Sequence, residues 1–435
     1  MPPCSTPRYS AANDSFYVSD TLKVLVWGTA EQGACAYFRG YMYDEPLKEL
    51  GIEMRHISKV DFRAMKGWRN KPIEEAYRAG KIELDKRPIE WADVVMLRRY
   101  YNTSLKCGLY TGPTSDHCGF STKDESEAIQ HEHGYKRQDD ITRVIWPAFR
   151  DSWTGGVVYE TDDDHFSIKP WNGYYGDVIK ERDLIVDMAK RADILTVATP
   201  RLATQYGRYN RNVRVVRNAI DPDLYVKDTP RPEGDKARLV YYGSTARLRD
   251  YGGRLITGKK DDGGGFALRA VEESKHLLQR VFLGTNPGTE HVIERLFDEQ
   301  HPYIENIPAF GKALANAHGD IGIAPLGGDD FDKAKSELHW LEYAMTDMAF
   351  IGERYNGDGP YQVIRNGVDG LLARGAQEWH DSVKRLATSS DLRADLAGRA
   401  KERVLAEYDY RQRAREWADV FRYAADNARG ALRAA

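Results

Sequence analysis

The chain has 435 residues, of which 30% are charged and 41% are hydrophobic, and its formal net charge is −3. This length exceeds the size at which one hydrophobic core usually stops growing, so two domains are expected. Because basic and acidic residues nearly balance, the composition disfavours a protein that binds polyanions through a strongly basic surface.

Residues 1–20 form a polar tail without the apolar centre of a signal peptide, and no run approaches the roughly eighteen apolar residues of a membrane span. The four cysteines, Cys4, Cys35, Cys107 and Cys118, are too scattered for a disulfide framework, so reduced thiols are expected. The sequence therefore predicts a cytoplasmic protein with no transmembrane segment.

Predicted strands and helices alternate along the first half of the chain. The strands are predicted at residues 22–28, 92–97, 155–160, 192–199 and 213–218. This alternation is typical of a parallel, doubly wound sheet. Residues 100–140 interrupt it and are predicted to be an insertion that shapes a site.

Two glycines separate the first strand from a helix predicted over residues 34–50. Gly28 and Gly33 could leave backbone amides facing an anion at the helix N-terminus. They could equally serve only a tight strand-to-helix turn that needs no ligand.

A second alternating series follows the Pro-, Gly- and charge-rich linker 228–236. Its strands are predicted at residues 237–244, 280–284, 319–326, 348–352 and 369–373. We predict a first domain over 21–226, a second over 227–408, and a C-terminal helix over 409–435 that can cross back to the first domain. Two facing sheets of this kind place a site in the cleft between them.

Residues 319–345 predict a buried strand, a loop and then a helix beginning at about Lys335. Free amides at a helix start, with Lys335 and the Ser336 hydroxyl beside them, suit a phosphate. Glu342 lies roughly 10 Å further along such a helix, about the span from a diphosphate to a ribose. The alternative is an amphipathic helix with an incidental exposed glutamate.

Several motifs together resemble one family. They are "GSTARLRD" (243–250), "IGIAPL" followed by "FDKAKSELHWLEYAM" (331–345), and "GPYQVIRNGVDGLL" (359–372), with "VATPRLATQYGRYNRNVRVVRNAIDPDLY" (197–225), "WADVVMLRR" and "VVYETDDDHF" in the first domain. These are similar to the retaining glycosyltransferases of the GT-B fold, in particular a bacterial and phage-type group. The resemblance implies two Rossmann-like, doubly wound domains that face a central cleft.

The resemblance also implies roles for individual residues. Arg247 or Arg249, with Lys335 and the amides near Ser336, would hold the donor diphosphate, and Glu342 would hold the ribose. Fixed cations and amides aimed at the departing diphosphate would lower the barrier without a metal. The predicted donor-binding residues are Gly28, Gly243, Ser244, Arg247, Arg249, Lys335, Ser336 and Glu342.

The chain departs from the family pattern at five positions. These are Ala219 in the hinge motif, Arg247 for a histidine, Ala334 for a sugar-contacting glutamate carried by many members, His339 for a lysine, and Asp347 for a glycine. The departure at Ala334 puts the identity of the donor sugar in doubt.

The stretch 157–166, "VVYETDDDHF", places three aspartates after a predicted strand. They could bind a divalent metal, contact an acceptor hydroxyl, or form a solvated turn. We predict acceptor or sugar contact without metal, because a carboxylate at the cleft can orient a hydroxyl and take its proton. The predicted catalytic residues are Asp163, Asp164 and, as an alternative base, His165, and the predicted acceptor-binding residues are Asp162 and Arg39.

Two further features have ordinary explanations. Cys107, Cys118 and three histidines, His117, His131 and His133, lack the paired spacing of a structural zinc site. The basic and aromatic stretch 59–72 could touch an anionic acceptor or a membrane face, but a solvated loop is favoured.

The sequence thus predicts a metal-independent, retaining glycosyltransferase that needs no cofactor and takes a nucleoside-diphosphate sugar as donor. The expected acceptor is a glycan, a lipid-linked glycan or a protein; net acidity disfavours modified DNA. The alternatives are a non-catalytic nucleotide-sugar-binding module of the same fold and a GT-B nucleotide-sugar epimerase.

Overall fold

The computed structural model describes residues 21–28, 33–57, 62–64, 79–84, 87–98, 146, 149–170, 172, 175–243, 263–284, 290–357 and 359–434. Two α/β domains follow one another along the chain, and each is built around a parallel six-stranded sheet. No helix within the described ranges has both the length and the apolar character needed to cross a membrane.

The first sheet has the strand order β2-β1-β5-β6-β7-β8, with every neighbouring pair parallel. Its central strands β5 and β6 are buried at every residue, as expected for a parallel sheet covered on both faces. The strands are β1 (Leu22–Trp27), β2 (Ile52–Ile57), β5 (Val94–Arg98), β6 (Gly156–Thr161), β7 (Ile194–Val197) and β8 (Val213–Val215).

Short helices connect these strands. They are α1 (Ala34–Phe38), α2 (Asp44–Glu49), α3 (Arg87–Glu90), α4 (Tyr175–Lys180), α5 (Arg182–Arg191) and α6 (Pro200–Tyr206), with one turn of 3₁₀ helix at Tyr41–Tyr43. Helix α6 begins at Pro200, which occupies the first turn, and the Thr199 hydroxyl caps it by accepting a hydrogen bond from the Leu202 amide.

The second sheet has the strand order β11-β10-β9-β12-β13-β14, again parallel throughout. Counted in chain order this is 3-2-1-4-5-6, the order of a dinucleotide-binding Rossmann sheet. The strands are β9 (Ala237–Gly243), β10 (Leu278–Gly284), β11 (Glu299–His301), β12 (Ile321–Ala324), β13 (Ala349–Glu353) and β14 (Leu371–Ala373).

The helices of the second half cover both faces of this sheet and then continue beyond it. They are α7 (Gly263–Glu273), α8 (Glu290–Leu296), α9 (Ile307–Asn316), α10 (Asp330–Lys333), α11 (Leu338–Met345), α12 (Gly375–Thr388), α13 (Ser390–Glu407) and α14 (Tyr410–Ala434), with 3₁₀ turns at Pro222–Leu224 and Pro360–Val363.

The chain passes between the domains at two adjacent places. Residues 226–236 form an exposed connection from the first domain to β9. On the return, the Ile220 amide donates to the Tyr408 carbonyl at 2.9 Å, and the Tyr410 amide donates to the Ile220 carbonyl at 3.2 Å. Helix α14 then packs on the first sheet, so closely that a Cβ on Gly156 would lie 2.7 Å from the Ala424 backbone.

The single helix predicted over residues 34–50 is wrong. The chain instead forms α1, the 3₁₀ turn and α2, with a break at Gly40, whose φ of −147° and ψ of −90° are not helical. Pro46 explains why one helix cannot continue here. It lacks an amide proton and is tolerated only in a first turn, and it lies in the first turn of α2.

The strand predictions are confirmed apart from their ends, but several strands were not predicted. Strand β2 lies at a sheet edge and is only partly buried, so its sequence "IEMRHI" lacks a continuous apolar run. Strand β11 is three residues long. Within the stretch 59–72, Phe62–Ala64 (β3) pairs antiparallel with Ile82–Leu84 (β4), and the rest of that stretch lies outside the described residues.

Candidate functional site at the domain interface

The loops that follow the central strands of the two sheets meet at the domain interface. In open parallel sheets, ligands bind beyond the carboxyl ends of the strands, where the strand order reverses. That reversal lies between β1 and β5 in the first sheet and between β9 and β12 in the second. The predicted site residues follow β1, β6, β9 and β12.

The three aspartates form a tight turn directly after β6. The main-chain carbonyl of Asp163 accepts hydrogen bonds from the Thr161 hydroxyl at 3.3 Å and from the Tyr206 hydroxyl at 3.2 Å. Burial raises the pKa of Tyr206 well above its ordinary value, which keeps its hydroxyl a donor. The turn therefore holds the Asp163 backbone in place, with Asp162 and Asp163 partly exposed at its surface.

The next two residues point into the protein. Asp164 is 3% exposed, and its carboxylate accepts the Phe166 amide at 3.1 Å, closing the turn. His165 is 1% exposed, and its Nδ1 lies 2.9 Å from the Tyr206 hydroxyl. Of the three predicted catalytic residues, Asp163 is thus the one that faces the opposite domain, while Asp164 and His165 support the turn.

Lys335 reaches across the interface to Asp163. Its Nζ lies 2.6 Å from Asp163 Oδ1, and the two side chains are 27% and 12% exposed. The same Nζ lies 4.2 Å from the ring centroid of Phe331, in cation–π geometry. The lysine predicted to bind the donor and the aspartate predicted to act on the acceptor are therefore in direct contact.

The helix predicted to begin at Lys335 begins at Leu338 instead. Asp329 caps the short helix α10 by accepting a hydrogen bond from the Asp332 amide at 3.0 Å, so a first helix begins ahead of Lys335. Lys335 and Ser336 then lie in the connection between α10 and α11. Both residues therefore precede the helix that was predicted to contain them.

Ser336 is tied to the first domain through a chain of hydrogen bonds. Its hydroxyl accepts from Asn218 Nδ2 at 2.8 Å, and Asn218 Oδ1 accepts from Arg39 at 3.3 Å. Arg39 also pairs with Glu160 at 2.7 Å and donates to the Val216 carbonyl. The network fixes Ser336 relative to the end of β6.

The prediction that Arg39 contacts an acceptor is wrong. Arg39 is 1% exposed, so its guanidinium has no surface to offer a substrate. Burial opposes the charged form, but Glu160 beside it keeps the pKa of Arg39 raised. The residue is an interior link, and an arginine followed by a glycine gives no sequence signal of such burial.

Glu342 lies in α11 with 3% of its surface exposed. Its carboxylate accepts hydrogen bonds from the Tyr225 hydroxyl at 3.3 Å and from the Tyr242 hydroxyl. The Tyr242 ring stacks on His339 with 4.5 Å between centroids. Glu342 is therefore not an exposed helix residue, and contact with a ribose would require one tyrosine hydroxyl to move.

The glycines predicted on the donor side follow β1 and end β9. Gly28 has a φ of +104°, and a Cβ there would lie 2.7 Å from the Arg98 carbonyl oxygen, so both conformation and space require glycine. Gly243 is approached by Gly284, whose Cβ would lie 2.0 Å from the Gly243 carbonyl oxygen. The remaining predicted donor residues, Ser244, Arg247 and Arg249, lie outside the described residues, as do residues 100–140.

Ala334, where many family members carry a glutamate, is 1% exposed. It belongs to the same hydrophobic cluster as Leu202 and Tyr206 of the first domain. Its carbonyl accepts the Thr199 hydroxyl at 3.2 Å. A carboxylate at this position would be buried among apolar side chains, which gives a physical reason for the alanine.

Two arginines at the interface were not predicted. Arg201 pairs with Asp330 at 3.0 Å, and Arg217 pairs with the buried Glu337 at 3.2 Å. Both follow strands of the first sheet, at the edge that carries the aspartate turn. Arg201 comes just after the predicted strand 192–199 and Arg217 lies near the end of the predicted strand 213–218, and these places are the signal that could have identified them.

Within the described part of the chain, no group of three or more His, Cys, Asp or Glu side chains is arranged to hold a metal ion. The cysteines and histidines considered for zinc, at 107, 117, 118, 131 and 133, lie outside those residues.

Residues 292–419 match the family model described as "Glycosyl transferase-like". The match covers less than half of the chain. The matched segment runs from α8 into α14 and includes Lys335, Ser336 and Glu342. No curated protein matches the chain in sequence.

Solved structures resemble the whole two-domain arrangement. Sucrose-phosphate synthase from Thermosynechococcus elongatus is 12% identical, with a TM-score of 0.54 over 92% of this chain and 98% of that one. HepE from Anabaena, in complex with UDP, is 11% identical, with a TM-score of 0.50 over 92% and 99%. TarM from S. aureus is longer: the chain spans 54% of its length, at 10% identity and a TM-score of 0.46.

At these identities the likeness concerns the fold. The prediction of two Rossmann-like domains in the GT-B arrangement is confirmed. The family match supports the predicted enzyme class, that of glycosyltransferases.

Proposed function

We propose that the protein is a retaining, metal-independent glycosyltransferase that moves a sugar from a nucleoside-diphosphate sugar to a hydroxyl group in the interdomain cleft. The observation that carries this proposal is the 2.6 Å contact between Lys335 and Asp163. It joins the donor side of the glycosyl transferase-like domain to a carboxylate on the opposite domain. The reacting atoms would lie between these two groups.

The donor side supplies positive charge where the leaving group develops negative charge. As the bond between the sugar anomeric carbon and the phosphate oxygen breaks, the electron pair leaves with the nucleoside diphosphate. Lys335 and the Ser336 hydroxyl would stabilise that diphosphate through charge-assisted hydrogen bonds. UDP is the first nucleotide to test, because HepE, which shares the fold, is described in complex with UDP.

The acceptor side supplies a carboxylate. The acceptor hydroxyl oxygen bonds to the anomeric carbon, and its proton passes to Asp163 or to the departing phosphate oxygen. Because a diphosphate attracts Lys335, donor binding would draw the ammonium away from Asp163 and leave that carboxylate able to orient the hydroxyl. Asp162 would contact the acceptor, and Glu342 the ribose once a tyrosine hydroxyl has moved.

The experiment is a transfer assay with purified protein, a panel of UDP- and GDP-sugars, and glycan acceptors, with donor hydrolysis measured in parallel. We expect nucleoside diphosphate release from one donor, slow without acceptor and faster with it, in buffer containing EDTA. A product with inverted anomeric configuration would contradict the retaining mechanism. Donor binding with neither transfer nor hydrolysis would favour a non-catalytic binding module, and conversion of the donor without acceptor would favour an epimerase.

A further inference from the structure

A small cavity of about 180 Å³ opens beside Lys335 at the domain interface. It is lined by Thr199, Pro200, Arg201, Thr204, Arg217, Lys333, Lys335, Glu337, Gly359, Pro360, Gln362 and Val363. Pockets that take drug-sized ligands begin at about 300 Å³, so this one suits a single sugar ring or a similar group rather than a whole nucleotide sugar.

The charged lining of the cavity is mostly basic. Among the described residues, four cations, Arg201, Arg217, Lys333 and Lys335, line it together with one carboxylate, Glu337. Three carboxylates pair with these cations: Asp330 with both Arg201 and Lys333, Glu337 with Arg217, and Asp163 with Lys335. Among the ion pairs of the described residues, four cations therefore stand against three carboxylates.

The carboxylates are the fewer because Asp330, which is 54% exposed, is shared by Arg201 and Lys333. Glu337 is 1% exposed, and burial raises its pKa despite Arg217 beside it, so it is easier to protonate than an exposed carboxylate. The cavity is therefore electrostatically suited to a group that brings its own negative charge.

Glu337 also offers an acceptor for a hydroxyl. Its Oε1 receives Arg217 at 3.2 Å, while its Oε2 is buried and has no hydrogen-bond partner among the described residues. A buried oxygen without a partner costs free energy, and a ligand hydroxyl would satisfy it. The lining thus combines cations with a hydroxyl acceptor, which matches a sugar that carries an acidic group.

We propose that this cavity is the acceptor subsite for a negatively charged sugar, one that carries a carboxylate or a phosphate. The inference rests on the proposed function, because Lys335 lines the cavity and contacts Asp163, the proposed acceptor carboxylate. The acidic group pairs with Arg201 and Lys333, a hydroxyl of the ring donates to Glu337, and a second hydroxyl lies towards Asp163 for transfer.

The test measures binding of three probes, glucose 6-phosphate, glucuronate and glucose, to the full chain at low salt, by titration calorimetry or ligand-observed NMR. We expect at least one charged probe to bind at least tenfold more tightly than glucose and to weaken as salt rises, because ions screen the attraction. Comparing the two charged probes distinguishes a phosphate from a carboxylate. UDP affinity is measured on the same samples.

The variant is Arg201→Ala with Lys333→Ala, and the matched control is Lys312→Ala, which removes a 59% exposed lysine paired with Asp228 elsewhere in the second domain. The double variant should lose charged-probe affinity at least tenfold and keep UDP affinity within about twofold. The control should change neither affinity.

If the charged probes bind no better than glucose while UDP still binds, the inference is overturned and the proposed function is not. An equal loss of UDP affinity in the double variant would also overturn it, by assigning the cavity to the donor. No binding of any nucleotide sugar would instead overturn the proposed function.

Discussion

Asp163 holds Lys335 at 2.6 Å, yet the proposed reaction needs the same ammonium on a diphosphate. The two anions would compete for one cation. Asp163→Asn should therefore increase UDP affinity by a few-fold, because the competing charge is removed. Transfer should fall by about 10²- to 10⁴-fold, the usual contribution of a positioned acid–base group.

Titration calorimetry with UDP and a transfer assay on the same preparation check this prediction. Asp162→Asn is the control, because it changes the neighbouring carboxylate in the same turn. A loss of transfer of equal size in both variants would show that the turn as a whole matters and that Asp163 has no specific part.

Lys335→Met should weaken UDP binding about tenfold or more, because a charge-assisted hydrogen bond to phosphate contributes about 1.5–3 kcal/mol. Lys333→Met is the control, a lysine two residues away that pairs with the exposed Asp330. The measurement is the Kd of UDP for both variants. If both lose affinity equally, the effect is general attraction to a basic surface, and Lys335 is not a specific diphosphate ligand.

Among single residues, the sequence predicted positions better than environments. Strand ends and motif spacing placed Asp163 and Lys335 at the cleft, since residues that follow parallel strands share one edge of a sheet. The same reasoning could not show that Arg39 and Glu342 are buried. Their burial depends on Glu160, Tyr225 and Tyr242, which are distant in sequence from the residues they contact.

Helix α11 rests on β12 at a contact that permits no side chain. A Cβ on Gly322 would lie 2.4 Å from the ring of Tyr343, which is a residue of α11. Gly322→Ala should therefore destabilise the protein by about 1–3 kcal/mol, the usual cost of overpacking a core. It should also weaken UDP binding, because α11 and the connection before it move away from the sheet.

Thermal unfolding and UDP titration of the same variant provide the readouts. Gly398→Ala is the matched control: Gly398 is exposed within α13, and a Cβ there would meet nothing within 4 Å. That substitution should stabilise the protein by about 0.5–1 kcal/mol, since glycine weakens helices. A Gly322→Ala protein as stable as the parent would mean that α11 has room to adjust.

At the level of helices and strands, long apolar runs were predictable and interrupted ones were not. Strands β5, β6 and β9 are buried nearly throughout, so their composition marks them. The break between α1 and α2 and the restart at Leu338 depend on capping and on Pro46, which periodicity alone does not detect.

The two domains meet through the charged pairs Arg201–Asp330, Arg217–Glu337 and Asp163–Lys335. In the proposed mechanism, Lys335 and the neighbouring polar groups stabilise the diphosphate without a metal ion. The transfer rate should consequently stay within about twofold when 5 mM EDTA replaces added Mg²⁺ or Mn²⁺. This concentration of chelator exceeds that of any trace metal in the buffer. A loss that added Mg²⁺ or Mn²⁺ restores would contradict this prediction.

The most direct measurement is a crystal structure of the protein in complex with UDP. We predict that the diphosphate lies within hydrogen-bonding distance of Lys335 Nζ and of Ser336, and that Lys335 has moved away from Asp163, leaving its carboxylate open to the cleft. UDP bound elsewhere while Lys335 stays on Asp163, or a metal ion bridging the aspartates to the diphosphate, would contradict it.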